Sequence, residues 1–361
     1  MKICYLADIN NYHTKKWVEY FSSIGHEIIV ISLANGQIKN CKSYCFGFSN
    51  VKHTSLFKKV KYLTYIKKIK EILKKEKPDL LHAHYASSYG LLSVLSGYKP
   101  SIVSLWGSDI LLFPKKTFIH KFIITRVLNG DNFLFSTSDY MISESKQYLK
   151  KNKQIHLTPF GVNTNKFKPV ENKDKKNETF IIGVNKSLET ISGIDVLLKA
   201  FNQFMKKNDR PQVELRIAGK GSKKGYFLDL CKELSIEKYV KFYGYLNEDE
   251  VVKFLQDLDL AVYPSRSESF GVSAVEAQAC GIPVIASDVD GFKESTMPGE
   301  TALLFESENE LELCHKIQIL YRNQAKRKSM SQKAIGFVID KFNLRNNFNE
   351  VEIKYIEISN S

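Results

Sequence analysis

At 361 residues the chain is long enough for two domains of ordinary size, each with its own core and no need of metal or disulfide staples. Hydrophobic residues make up 43% and charged residues 25%, which excludes a disordered chain, a peptide hormone and a disulfide miniprotein. The formal net charge is +14, and residues 1–150 hold 22 Lys or Arg against 10 Asp or Glu, so nearly all of the excess lies in the first half.

The opening Met1-Lys2-Ile3-Cys4-Tyr5-Leu6-Ala7-Asp8 turns polar too early for a signal-peptide core and reads as a buried first strand. Short apolar runs recur at Ile28–Ile31, Leu80–His82, Ile102–Leu105, Phe133–Phe135 and Ile155–Leu157, with longer helical patterns between them. This βαβ rhythm predicts a parallel sheet. No stretch reaches the roughly 18 apolar residues of a spanning helix, so the expected location is cytoplasmic, including the inner face of the cell membrane. The six cysteines are scattered; only Cys41 and Cys45 lie close together, no second pair completes a zinc site, and all are read as free thiols.

Lys58, Lys59, Lys61, Lys67, Lys68, Lys70, Lys74, Lys75 and Lys77 alternate with Tyr62, Tyr65, Ile66, Ile69, Ile72 and Leu73 at helical spacing. The pattern predicts an amphipathic basic helix ended by Pro78. A solvated lysine face and attraction to an anionic membrane both account for it. Nucleic acid is not an expected partner, because no reader motif or base-stacking aromatic pattern accompanies the lysines.

The stretch Lys168-Pro169-Val170-Glu171-Asn172-Lys173-Asp174-Lys175-Lys176-Asn177 can bury almost nothing and predicts a linker at 168–178, closing a first domain at 1–167. The rhythm restarts with Phe180–Val184, Val213–Ala218, Val240–Tyr243, Leu260–Tyr263, Val284–Ala286 and Ala302–Phe305, giving a second domain at 179–336. Residues 337–361 are expected as a helix crossing back to the first domain. The fold class is α/β: two Rossmann-like doubly wound domains whose strand ends face a shared central cleft.

From Tyr263 to Ile285 a strand runs into the polar loop Pro264–Gly271, then into a helix stopped by Gly281 with Pro283 beyond, then into another strand. The start of that helix suits a phosphate or diphosphate. Glu268 and Glu276 would differ by about 80° on one straight helix, so they belong to different elements. Glu268 fits the loop, and Glu276 fits the first turns of the helix, where a carboxylate can accept two hydrogen bonds from a ribose diol. Two plainer readings stand beside these: Ser273-Ala274-Val275-Glu276 also fits a capping box, and Glu268 also fits a solvated loop carboxylate.

Glu268 and Glu276, set in a PSxxESFGxxxxEAxAxGxPVIAS context, resemble the signature of the retaining GT-B glycosyltransferases of family 4. The likeness spans nearly the whole chain, through Gly25-His26-Glu27, His82-Ala83-His84, Gly161-Val162-Asn163, Gly219-Lys220-Gly221, Phe242-Tyr243-Gly244 and Asp290-Gly291-Phe292-Lys293-Glu294. The resemblance implies a GT-B fold and a sugar moved from a nucleotide-sugar to a hydroxyl acceptor, with no metal or other cofactor. It places Glu276 on the donor's ribose, Glu268 on the sugar hydroxyls, and Ser269, Phe270, Gly271 and Val272 along the diphosphate. Gly219 joins the donor set, and Tyr245 and Leu246 flank the base.

Lys186 matches the first basic residue of the family's phosphate loop. The second, five positions on, is here Ile191, with Lys220 as a substitute. On the acceptor side, Asp8-Ile9-Asn10-Asn11-Tyr12-His13-Thr14 replaces a glycine-rich loop and singles out Asn10 and His13. Trp106 stands where many relatives carry a histidine and cannot accept a proton. The polar roles there pass to Asp109 or His84, for each of which a buried structural hydrogen bond is the competing reading. Asp288-Val289-Asp290 has the DxD form of metal-dependent transferases of another fold, but its setting belongs to the family signature and it is assigned no metal.

The acceptor implied is a lipid-linked bacterial surface glycan, motivated by the basic first half and by possible anionic-membrane association. The alternatives are a non-catalytic partner subunit and a nucleotide-sugar epimerase. A dehydrogenase is disfavoured, since no G-x-G-x-x-G follows either first strand.

Overall fold

The computed structural model describes residues 1–48, 61–150, 152–170, 179–208 and 211–361. The chain forms two units, one of Met1–Pro159 with Phe348–Ser361, the other of Phe160–Asn347.

In the first unit the order is β1 (Lys2–Leu6), α1 (Tyr12–Ser23), β2 (Glu27–Ser32), β3 (Lys42–Cys45), a 3₁₀ turn (Lys61–Tyr65), α2 (Ile66–Glu76), β4 (Leu80–His84), α3 (Ser88–Ser96), β5 (Ser101–Leu105), a short α4 (Ser108–Leu111), a 3₁₀ turn (Phe113–Lys115), α5 (Phe118–Leu128), β6 (Phe133–Ser136), α6 (Asp139–Lys146) and β7 (Ile155–Leu157). The strands are parallel in the order β3-β2-β1-β4-β5-β6-β7, so the order reverses between β1 and β4. The central strands are short runs rich in Ile, Val and Leu because a parallel sheet covered on both faces leaves no polar side.

Cys4, Leu6, Ile29, Ile31, Leu81 and Val103 point one way, into a layer formed by α2, α3, α5 and α6. On the other face Trp17 and Phe21 of α1 pack on Phe348 and Tyr355 from the end of the chain. There His82 is fully buried in β4, its Nδ1 paired with the Tyr355 hydroxyl and its Nε2 with Ser104 Oγ at 2.7 Å.

Burial keeps His82 neutral, with its pKa pushed down from 6.5 to about 3. Between those values the unfolded chain binds the extra proton, so stability rises with pH and is lost as pH falls through the window. At about pH 5 this residue alone should lower the first unit's stability by about 2 kcal/mol relative to neutral pH. Denaturant melts at the two pH values check this, and His82→Gln should melt earlier at neutral pH while losing part of the pH dependence.

The sequence expectations and the structure differ at four places in this unit. β3 was not anticipated, because Lys42-Ser43-Tyr44-Cys45 is a short edge strand with no fully buried residue and no apolar run. The unit ends at Pro159, ahead of the expected 168–178 linker, since Val162 N–H donates to the Phe342 carbonyl (2.8 Å) and ties the following segment to the second unit. The return comes at Phe348 and not at 337. Helix α2 stops at Glu76, one residue before the expected Lys77–Pro78 end, with Lys77 in the left-handed region (φ 46°). Lys58, Lys59 and residues 171–178 lie outside the described residues.

The second unit runs β8 (Phe180–Asn185), a 3₁₀ turn (Thr190–Ser192), α7 (Ile194–Lys207), β9 (Val213–Ala218), α8 (Lys224–Glu233), a 3₁₀ turn (Glu237–Tyr239), β10 (Val240–Gly244), α9 (Glu248–Asp257), β11 (Leu260–Tyr263), α10 (Val272–Ala279), β12 (Val284–Ser287), α11 (Asp290–Ser295), β13 (Ala302–Phe305), α12 (Glu310–Arg322) and α13 (Gln324–Phe342). Helix α14 (Leu344–Ser359) begins here and passes into the first unit. The parallel order β10-β9-β8-β11-β12-β13 reverses between β8 and β11. A reversal splits the loops of neighbouring strands to opposite faces and opens a crevice at their carboxyl ends.

Candidate active site

Lys186 follows β8 and Glu268 follows β11, so the two flank the second unit's reversal point. The ammonium of Lys186 pairs directly with Glu268 Oε2, and each side chain is 16% exposed, shielded yet reachable. Residues 82 positions apart are thus joined by the topology.

Glycines let the surrounding loops approach. Gly219 has φ +141°, and a Cβ there would lie 1.9 Å from the Lys186 carbonyl oxygen; at Gly221 it would lie 2.3 Å from that of Leu188. Between them, Leu188 N–H donates to the Lys220 carbonyl (3.1 Å) and Lys223 N–H to the Leu188 carbonyl (2.9 Å). Glu189 caps the same contact by accepting from Ser222 N–H (2.8 Å) and Oγ–H (2.6 Å).

Arg266, which lies inside the quoted signature but was not singled out from sequence, locks the crevice rim. Its guanidinium binds Asp195 with two hydrogen bonds (3.0 and 2.8 Å) and Glu308 through Nε (2.8 Å), while its backbone N–H donates to the Ile191 carbonyl (2.8 Å). Two carboxylates already hold this cation. No local spacing could have flagged the Arg266–Asp195 pair, which spans 71 residues.

Helix α10 starts at Gly271 (φ +92°) with no side-chain cap, so the capping-box reading of Ser273 and Glu276 fails: both lie inside the helix. Glu276 is buried one turn in, where its charge, after burial, helps to raise the pKa of Tyr263 far above the ordinary phenol value. Phe270 turns its ring into the core against Phe342, leaving only its backbone at the loop. Gly291 is what lets α11 close on that loop, since a Cβ there would meet the Glu268 carbonyl oxygen at 2.5 Å and the Phe270 nitrogen at 2.8 Å. Asp288 and Asp290 share Lys293 (3.2 and 3.7 Å).

Lys220, expected as a substitute for the cation missing at Ile191, holds its ammonium 4.6 Å from the centre of the Tyr245 ring. Tyr245 is 67% exposed, Leu246 beside it half-buried, and Ile191 presents an apolar side chain at the surface. That rim therefore carries Lys186 without a second lysine at the usual position.

In the first unit, the loops after β1, β4 and β5 meet at that unit's own reversal. Asp109, 1% exposed, accepts from the backbone N–H groups of Ala86 (2.8 Å), Gly107 (2.8 Å) and Trp106 (3.2 Å). Burial raises its pKa against the pull of those bonds. These bonds make Asp109 a brace of the turn that carries Trp106.

His84 is likewise buried, its Nδ1 3.1 Å from Thr14 Oγ1 and its ring 4.3 Å from that of Trp106. Burial, with His82 and His13 adding to it, drives its pKa well below 6.5 and favours the neutral imidazole near neutral pH. His13 stands edge-on to Trp106 at 5.8 Å, with its pKa lowered to about 3 by burial and by Lys16. Asn10 is exposed and donates through Nδ2 to the Asn35 carbonyl (2.8 Å).

Comparison with known proteins accords with this geometry. Residues 163–337 match the family model described as glycosyl transferases group 1, and residues 2–138 match glycosyl transferase 4-like. An uncharacterised glycosyltransferase of Methanocaldococcus jannaschii is 31% identical over 294 residues, covering 80% of this chain and 78% of the relative. The N-acetyl-alpha-D-glucosaminyl L-malate synthase of Bacillus anthracis is 26% identical over 92% of this chain and 90% of its own. In structure, Anabaena HepE in complex with UDP-glucose matches with a TM-score of 0.82 at 16% identity, over 99% of this chain and 100% of that one. With two parallel α/β units and these matches, the chain is a glycosyltransferase of the GT-B fold and belongs to the glycosyl transferases group 1 family.

Proposed function

We propose that the protein moves a sugar from a nucleotide-sugar to a hydroxyl of a lipid-linked glycan, retaining the anomeric configuration. The observation that carries the reading is the pairing of Lys186 with Glu268 at the reversal point, beside a helix start without a side-chain cap. Anabaena HepE, of the same fold, binds UDP-glucose and supports a donor of this class.

In this reading the Lys186 ammonium and the N-terminus of α10 receive the diphosphate, along the backbone of Ser269, Phe270, Gly271 and Val272. Glu276 accepts from the ribose, Glu268 from the sugar hydroxyls, Gly219 keeps the phosphate loop low, and Tyr245 and Leu246 border the base. As the bond from the anomeric carbon to the phosphate oxygen breaks, Lys186 and the helix terminus offset the charge left on the diphosphate. The acceptor oxygen attacks from the same face and its proton passes to a donor phosphate oxygen. No side-chain base is required, which suits a site with Trp106 in place of a histidine. Asn10, His13 and Trp106 form the acceptor side, with Asp109 and His84 holding that surface in position. In this reading no metal takes part, because Lys186 and the start of α10 meet the diphosphate charge.

The anomeric configuration of the product, read by NMR, tests retention; an inverted product overturns it. Glu276→Gln should raise the donor KM about tenfold or more, the equivalent of one lost charge-assisted bond, and chelation should leave turnover unchanged. Nucleotide binding with neither transfer nor donor hydrolysis would instead identify a non-catalytic partner subunit, and a changed sugar still on its nucleotide an epimerase. The relative named for malate favours a second reading, a small water-soluble acceptor, which transfer to a soluble hydroxyl compound in detergent-free buffer would establish.

A further inference from the structure

Helix α5 carries two opposed faces. Ile124, Val127 and Leu128 are buried in the first unit's core, while Phe118 and Phe122, one turn apart, are 82% and 68% exposed. Thr117 caps the helix by accepting the His120 N–H, so the aromatic pair sits on an ordered element. Leu112 and Ile119 are exposed nearby, which extends the apolar surface beyond the scattered single residues that a soluble protein ordinarily shows.

The pair borders a groove of about 950 Å³ that also takes in Lys121, Arg126 and Lys150, with Asp131 as its acid and Lys153 turned to the Leu128 and Gly130 carbonyls (3.2 and 2.7 Å). Asp131 is itself paired with Lys99 (3.1 Å). The same helical layer continues from α5 through α3 to α2, where Ile69 and Leu73 face the core and Lys67, Lys68, Lys70, Lys74 and Lys75 face outward. Helix α2 thus presents charge without an apolar anchor, and α5 presents the anchor with charge around it.

We propose that this layer is a membrane-docking face: Phe118 and Phe122 insert among the lipids of an anionic bilayer while the lysines of α2, with Lys121 and Lys150 of the groove, lie over its headgroups. Aromatic side chains beside Lys and Arg are the composition of interfacial elements, and a basic excess spread across several helices, with Glu71 as the exposed acid of α2, matches an extended anionic surface. The inference deepens the reading of a lipid-linked acceptor by locating where the lipid side is met.

The test is sedimentation of the full chain with vesicles of mixed phosphatidylcholine and phosphatidylglycerol, against vesicles of phosphatidylcholine alone. The wild type should pellet with the anionic vesicles. Phe118→Ser with Phe122→Ser should cut the bound fraction about tenfold or more at both low and high salt, whereas Lys67→Gln with Lys68→Gln should weaken binding about fivefold or more per charge at low salt. Donor hydrolysis in vesicle-free buffer should match the wild type in both variants and shows that they fold.

Unchanged vesicle binding of the folded Phe variant overturns the proposal. So does a wild-type dimer that the Phe substitutions convert to monomer without altering vesicle binding, which would assign the face to a second copy. Vesicle binding lost in the Phe variant, combined with transfer only to soluble acceptors, would leave this face standing and overturn the acceptor reading.

Discussion

Replacing Glu268 by Gln should reduce sugar transfer about a hundredfold to a thousandfold and yet increase the affinity for a free nucleoside diphosphate. Without donor, the Lys186 ammonium is held by the Glu268 carboxylate, and both side chains are largely shielded from water. A diphosphate has to draw that ammonium away, so part of its binding energy is offset by the ion pair that it breaks. Glutamine keeps the shape and removes the charge, leaving Lys186 for the phosphates. One charge-assisted bond contributes about 1.5–3 kcal/mol, and recovering even half of it would tighten UDP binding about fourfold or more. With the sugar attached the order inverts, because the hydroxyls lose their carboxylate acceptor. Calorimetric titration with UDP and with UDP-glucose, alongside a transfer assay, separates the two effects. UDP affinity that falls together with transfer would mean that Lys186 does not meet the phosphates.

Gly219→Ala should be the most disruptive single methyl group at the site. At φ +141° an alanine is strained before any contact is considered, and its Cβ would lie 1.9 Å from the Lys186 carbonyl oxygen, far inside van der Waals contact. That oxygen is backbone, so relief comes only by lifting the whole Lys186 loop from its bed and moving the ammonium with it. We expect the second unit to lose about 3 kcal/mol or more, with donor affinity falling by at least about tenfold in the fraction that folds. The control is Gly225→Ala on α8, where a Cβ meets nothing within 4 Å. That substitution should be neutral or stabilising by up to about 1 kcal/mol. Thermal melts and donor titrations of the pair read both effects. Equal behaviour of the two variants would mean that the loop contact at Gly219 is not what shapes the site.

The amino-acid order alone determined the repeated βαβ units, the parallel sheets and the place of Glu268 in a loop and Glu276 in a helix. These are local properties: a buried parallel strand must be a short apolar run, and a helix stop is written in Gly281 and Pro283. The edge strand β3 escaped because an edge position with no fully buried residue does not demand such a run. What only the tertiary structure decided are partnerships across long stretches of chain, such as Lys186 with Glu268, Arg266 with Asp195 and His82 with Tyr355. It also showed Asp109 and His84 buried and hydrogen-bonded within the first unit, and set the Lys220 ammonium over the Tyr245 ring. The physical reason is common to all of them. A side chain's charge state and reach are set by what the sheet order brings beside it and by how much water remains there, and neither quantity is a property of its neighbours in sequence.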